Sequence, residues 1–226
     1  PFLLKVQLRP NGLRRSAMER WRLHVIPNSH IDREWTNDFH FTRSMTVAFL
    51  DSLLEVMERS EEYQFVLDSQ TVVLEDYLEV RGEKEEALKE LVRKGRLWVG
   101  PWYTAPDMNC TRGETVLRNL LLGHRIARRF GRVMKVGYTP FGFGQISQLP
   151  QIYREFEIPW ILFYRGITEV EAPKYGFKWK GADGTVSLCW RGPRYNFYFH
   201  VMRPYLKRGG ILDREFDWTS GQRPFR

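Results

Sequence analysis

In the stretch LHVIPNSHIDREW, Leu23 to Trp35, a short apolar run stops at Pro27 and then delivers His30, Asp32 and Trp35 in close succession. In an extended loop, residues two apart point the same way, so the His30 imidazole and the Asp32 carboxylate can converge on one cation. One imidazole and one carboxylate make half of a tetrahedral zinc site, or part of a site with higher coordination. The alternative is a His30 that simply hydrogen-bonds its neighbours. Trp35 is open in the same way: it is either a core residue or a flat wall against a sugar ring. Further on, Asp68 in FVLDSQT either caps the following helix or hydrogen-bonds a ligand. Asp107, in WYTAPDMN, belongs either to a turn or to a site.

Such residues need a frame. Apolar, β-branched segments at Trp21–Ile26, Gln64–Leu67, Arg96–Gly100, Val133–Tyr138 and Pro159–Tyr164 read as buried strands. Between them, apolar residues recurring at three and four predict helices over Phe41–Ser60, Thr71–Val80, Glu83–Lys94, Gly113–Phe130 and Leu149–Phe156. Gly95 and Gly131 stand where helix ends need them. A further strand pair, Phe177–Trp179 and Thr185–Trp190, flanks the turn at Ala182–Gly184. Alternation of strand and helix without repeats predicts an α/β domain on a parallel sheet. Ligands bind at the carboxyl ends of such strands. Every candidate named above falls there.

Composition narrows the classes. A chain of 226 residues with 42% hydrophobic and 27% charged residues is a globular protein with room for one α/β core. The net charge of +8 permits an anionic partner, but many basic residues, from Arg112 to Lys135, recur at the spacing of a solvated helix face. Nucleic-acid binding would rest on charge alone, and none is expected. No apolar run approaches the ~20 residues that cross a bilayer, so no membrane partner is expected either. Cys110 and Cys189 lie far apart without CxxC spacing, which predicts buried free thiols in a reducing compartment, the cytoplasm. Residues 1–17, which precede Met18, read as a non-native or disordered extension, residues 18–191 as the domain, and residues 192–226 as an unassigned tail without periodicity.

Taken together, HVIPNSHIDREW, FVLDSQTVVLEDYLEV, GRLWVGPWYTAPDMNCTRGETVLRNLLLGHRIARRFG and KVGYTPFGFGQISQLPQI resemble the N-terminal catalytic domain of family 38 α-mannosidases, especially the bacterial branch. The similarity runs collinearly from about Trp21 to Gly166. It implies an α/β fold that is part of a seven-stranded β/α barrel, parallel strands alternating with helices. It also implies a retaining hydrolase acting on α-linked mannose in mannose-containing oligosaccharides, with one zinc ion in the floor of the site. By position, His30 and Asp32 match two zinc ligands, Trp35 the aromatic residue beneath the mannose ring, and Phe143 the Phe of the nucleophile loop. Asp68 and Asp107 join them as expected substrate contacts. The family's chains are several times longer, so a missing C-terminal portion is an implied partner. Metal-dependent polysaccharide deacetylases also use His and Asp at strand ends, but their His-x-x-x-His motif is absent here.

One departure matters. Bacterial members of the family usually write the nucleophile loop G-Y-x-P-D-x-F-G, whereas this chain reads Gly137-Tyr138-Thr139-Pro140-Phe141-Gly142-Phe143-Gly144. Phe141 occupies the position of the Asp that attacks the anomeric carbon and also ligates zinc. Phenylalanine does neither, and losing an essential nucleophile costs about six decades of rate in comparable hydrolases. The family's remaining zinc-ligating His and its acid/base carboxylate come from later segments. The only His beyond the loop is His200, in the tail. The chain is therefore expected to be inactive by itself, the alternative being a non-catalytic, carbohydrate-binding remnant of the family.

Overall fold

The structure, a computed structural model, describes residues 26–139, 142–168, 170–172 and 175–191. Outside them lie the extension at 1–17, most of the expected first strand, Phe141, His200 and the tail from 192. The described residues form six strands and five α-helices in an α/β arrangement, with β4, β5 and β6 following one another without an intervening helix.

The N-terminal half is built on two short parallel strands, β1 (Phe65–Val66) and β2 (Leu97–Trp98). The segment after the expected first strand joins them: Val66 N–H donates to the Pro27 carbonyl at 3.0 Å, and Ser29 N–H to the Val66 carbonyl at 3.3 Å. Helix α1 (Phe39–Arg59) starts where the Asp38 carboxylate accepts the Phe41 N–H at 2.8 Å, satisfying one of the donors that a helix start leaves open. Its inward stripe, Thr46, Val47, Leu50, Leu53, Leu54 and Met57, repeats at three and four. Burying each large member of that stripe contributes roughly 1.5–3 kcal/mol. Helices α2 (Val72–Leu78) and α3 (Glu85–Arg93) complete this first core with Val73, Leu74, Tyr77, Leu88 and Val92.

Helix α4 (Gly113–Phe130) runs over the bounds read from the sequence, and Gly131, at φ 130°, ends it. The second half is a mixed sheet in the order β3 (Val136–Tyr138), β4 (Trp160–Phe163), β6 (Val186–Arg191), β5 (Gly176–Lys180). β3, β4 and β6 are parallel, while β5 pairs antiparallel with β6 across the predicted turn. Helix α5 (Leu149–Glu155) and the first turns of α4 cover one face, through Tyr153, Leu149, Val116 and Leu120. Gly137 admits this packing: a Cβ there would stand 2.4 Å from the Tyr153 ring. The two sheets meet where Met134 N–H donates to the Val99 carbonyl at 2.9 Å.

Two sequence expectations need correction. The expected Arg96–Gly100 strand pairs with β1 only over Leu97–Trp98; Val99 then accepts from Met134, the chain bends at Gly100, at φ 79°, and Trp102 pairs again beside Gln70. Cys189 is buried in the second core, but Cys110 is exposed, on the turn that precedes α4. Both cysteines are free thiols, and burial pushes the Cys189 thiol up to about 12.

Candidate functional site

The carboxyl ends of the parallel strands gather four loops. The loop carrying His30 follows the Pro27–Ser29 pairing, the loop carrying Asp68 follows β1, that of Trp102 to Asp107 follows β2, and that of Phe143 follows β3.

His30 and Asp32 converge as their spacing predicts. Nε2 of His30 lies 3.1 Å from Oδ1 of Asp32, and Nδ1, on the other side of the ring, lies 3.4 Å from Oδ1 of Asp68. The structural and ligand readings of His30 therefore apply to different nitrogens of one ring.

Asp68 does not cap helix α2. That helix has Thr71 as its N-cap residue, with no side-chain cap hydrogen bond, and Asp68 points elsewhere. It is 1% exposed, and its Oδ2 accepts the Ile31 N–H at 2.8 Å and an N–H from the Gln70 amide. A buried carboxylate is tolerated because these donors replace water. Asp68 and Ser69 both have positive φ, 35° and 53°, a region that non-glycine residues enter at a cost of about 1–2 kcal/mol. That turn is what carries the carboxylate back under the His30 loop.

Gln70, which no sequence pattern marks, links three loops. Its Nε2 donates to the Ile31 carbonyl at 2.9 Å and also to Asp68, while its Oε1 accepts the Ala105 N–H at 2.8 Å. Asn119, on α4, holds the same third loop: it accepts from Tyr103 N–H at 2.8 Å and donates to the Thr104 carbonyl at 2.8 Å. A Gln after a strand and an Asn inside a helix are both too common to single out in a sequence.

The remaining candidates are placed individually. Trp35 is not a core residue; it is 79% exposed. The hydrogen bonds of Asp107 among the described residues stay in its own turn, with its carboxylate accepting Asn109 N–H at 3.2 Å and its carbonyl the Thr111 hydroxyl at 2.7 Å. Phe143 is 75% exposed, with the Arg165 guanidinium 5.2 Å from its ring centre. Its loop is seated against Asn109, since a Cβ on Gly144 would lie 1.9 Å from that amide. Arg33 ties the His30 loop to α2 through two hydrogen bonds to Asp76, of 2.7 and 2.8 Å, which raise the pKa of its guanidinium further.

Chemically, His30 and Asp32 present two donor atoms of the kinds that hold a divalent cation. No group of three or more His, Cys, Asp or Glu that could hold a metal exists among the described residues.

The family model for the N-terminal domain of glycosyl hydrolases family 38 matches residues 20–204. A Halalkalibacterium halodurans protein, provisionally named a mannosylglycerate hydrolase, is 35% identical over 175 residues, covering 72% of this chain and 20% of its own length. A Saccharomyces cerevisiae α-mannosidase is 30% identical over 178 residues, covering 76% of this chain and 16% of its own. The crystal structure of an α-mannosidase from Enterococcus faecalis V583 superposes with a TM-score of 0.70 at 33% identity, over 74% of this chain and 19% of that one. A 4-α-glucanotransferase from Thermococcus litoralis shares the fold, with a TM-score of 0.63 at 18% identity. The chain spans about a fifth of the length of the relatives it matches.

Proposed function

Because the chain belongs to glycosyl hydrolases family 38, we propose that it is the front of an α-mannosidase catalytic domain, acting on α-mannosidic linkages in mannose-containing oligosaccharides. The names of its α-mannosidase relatives support the substrate class. The observation that carries the site is the convergence of His30 Nε2 and Asp32 Oδ1 to 3.1 Å at the strand ends.

In this reading the parallel strands β1, β2, β3, β4 and β6 are part of a seven-stranded β/α barrel, and β5 is an antiparallel addition at the edge. His30 and Asp32 are two ligands of a zinc ion. The two donors are of the right kind: tetrahedral zinc binds such atoms at about 2.0–2.2 Å, which separates two ligands by roughly 3.3–3.6 Å, and this pair stands slightly closer, at 3.1 Å. When bound, zinc supplies a positive charge that holds sugar hydroxyls. The chain's own residues do the rest of the positioning. Asp68 fixes the His30 loop from beneath, the exposed ring of Trp35 is a flat surface for the C–H face of a sugar, and Phe143 and Asp107 border the same strand ends. A cytoplasmic setting belongs to the same proposal, since both thiols are free.

Retention of configuration needs two carboxyl groups about 5 Å apart, one to attack the anomeric carbon and one to protonate the leaving oxygen. Phe141 stands at the position of the attacking carboxylate. This favours the second reading as a description of what this chain does alone: it binds mannosides without turning them over.

The test is hydrolysis of an aryl α-mannoside by the purified chain, with and without zinc, beside calorimetric titration of the chain with zinc and with methyl α-mannoside. No turnover is expected, together with zinc binding that weakens in His30→Ala. A zinc-dependent, saturable rate would overturn the inactivity. Failure to bind either zinc or the mannoside would sink the site reading.

A further inference from the structure

We infer that Asp68, held in place by Gln70, is a positioning residue that selects the tautomer of His30, leaving the Nε2 lone pair on the side it shares with Asp32. The inference rests on the proposed cation site, and it concerns which nitrogen of His30 that site receives.

A neutral imidazole has one N–H donor and one lone-pair acceptor, and its surroundings decide which nitrogen is which. Two carboxylates flank His30. Asp32 lies at Nε2 and is open to water, while Asp68 lies at Nδ1 and is 1% exposed. Water satisfies an exposed carboxylate at little cost, whereas a buried one depends on the donors that the protein supplies. Oδ2 of Asp68 already takes the Ile31 N–H and the Gln70 amide, so Oδ1, 3.4 Å from Nδ1, is the oxygen left facing the ring. The stronger claim on the single ring proton is therefore that of Asp68. Nε2 then carries its lone pair, 3.1 Å from a carboxylate oxygen of Asp32. Two electron-rich atoms at that separation repel unless a proton or a metal cation lies between them. The arrangement is thus poised for a metal, with a carboxylate behind the histidine to fix ring and tautomer.

Gln70 keeps Asp68 oriented. Its amide donates to Oδ2 of Asp68 and to the Ile31 carbonyl, and its own carbonyl is held by Ala105 N–H at 2.8 Å. Rotation of the carboxylate would break the bonds to Ile31 and to Gln70 together.

Asp68→Asn inverts the demand while keeping the shape. An asparagine oxygen at the Oδ2 position still accepts from Ile31 and Gln70, and tolerates positive φ. Its NH2 group then faces Nδ1 and requires an acceptor there, which drives the ring proton to Nε2, the wrong nitrogen for a cation shared with Asp32.

The experiment is nitrogen-15 NMR of the histidine rings of the full chain without metal, at about pH 9 where an ordinary imidazole is neutral, with the His30 signals identified by their loss in His30→Gln. The expected result is a proton on Nδ1 in the parent and on Nε2 in Asp68→Asn. Titration with zinc is expected to show affinity about 10–100-fold lower in Asp68→Asn, and a smaller loss in Gln70→Ala. A parent ring protonated on Nε2 overturns the inference without reference to any variant, so it is decided even if Asp68→Asn does not fold. Equal zinc affinity in parent and Asp68→Asn also overturns it. If the parent binds no zinc yet its ring is protonated on Nδ1 and switches in Asp68→Asn, the inference stands and the cation site falls.

Discussion

Arg33 grips Asp76 with two hydrogen bonds, of 2.7 and 2.8 Å, and lays its guanidinium 4.8 Å from the centre of the Phe39 ring. The pair spans the loop that holds the His30–Asp32 unit and the helix α2 beside it. Bidentate geometry makes it a stronger tie than an ordinary surface ion pair. Asp76→Ala leaves the Arg33 guanidinium without its partner and is expected to lower stability by about 2 kcal/mol. Urea unfolding of the single variants and of the double variant Asp76→Ala/Arg33→Ala measures this, and additive losses would show that the pair contributes nothing as a pair.

Gly123, on α4, faces the backbone at Pro101 and Trp102, where an added Cβ would stand 2.2 and 2.3 Å from main-chain atoms. Backbone cannot swing aside as a side-chain tip can. Gly123→Ala is therefore expected to destabilise by about 2 kcal/mol or more, despite alanine's better helix propensity. Gly113→Ala, where nothing lies within 4 Å, is the control and is expected to be neutral or mildly stabilising. Equal urea midpoints for the two variants would contradict the contact.

The two thiols differ in reach. Cys189 is buried and its thiol is pushed up to about 12, whereas Cys110 is exposed. A disulfide reagent at neutral pH is expected to modify one thiol per chain quickly and the second only on unfolding. Cys110→Ser removes the fast phase. Two fast phases in the folded chain would place Cys189 at the surface.

His124 is buried against α4's own turn, with Nδ1 2.9 Å from the Leu120 carbonyl and Lys135 Nζ 3.5 Å from Nε2. Burial lowers its pKa from the ordinary 6.5, and the charges of Lys135 and Arg128 lower it further, against the backbone carbonyls that raise it. The folded chain thus binds this proton more weakly than the unfolded chain does. Stability is unaffected by this group above about pH 6.5, and falls as the pH drops below that value, levelling only under the folded-state pKa. Unfolding measured from pH 8 to pH 5 is expected to show a shallower acid decline in His124→Gln than in the parent. Parallel curves would remove His124 from the effect.

Elements dictated by local pattern were legible, and those dictated by distant partners were not. Helix α4 runs from Gly113 to Phe130, as its periodicity and its stop glycine indicate. The convergence of His30 and Asp32 also follows from adjacency, being a property of extended backbone. The role of Asp68 is different. A lone aspartate before a helix looks like a cap, but its carboxylate turns under Ile31, 37 residues away, because the turn takes up positive φ at two successive residues. The choice between core and wall at Trp35 was not legible for a related reason: hydrophobicity says that a ring prefers burial, but not whether a neighbouring surface exists to bury it. Gln70 stayed hidden because its significance is a matter of three loops meeting.

Helix α4 gives Val116 and Leu120 to the second apolar cluster, and Ile126, Ala127 and Phe130 to the first. Its 18 residues, about 27 Å long, are thus a beam resting on both halves. If either half loosens, it takes away part of the other's wall. The two halves share this one element, and they are expected to melt as a single unit although their sheets meet at a narrow seam.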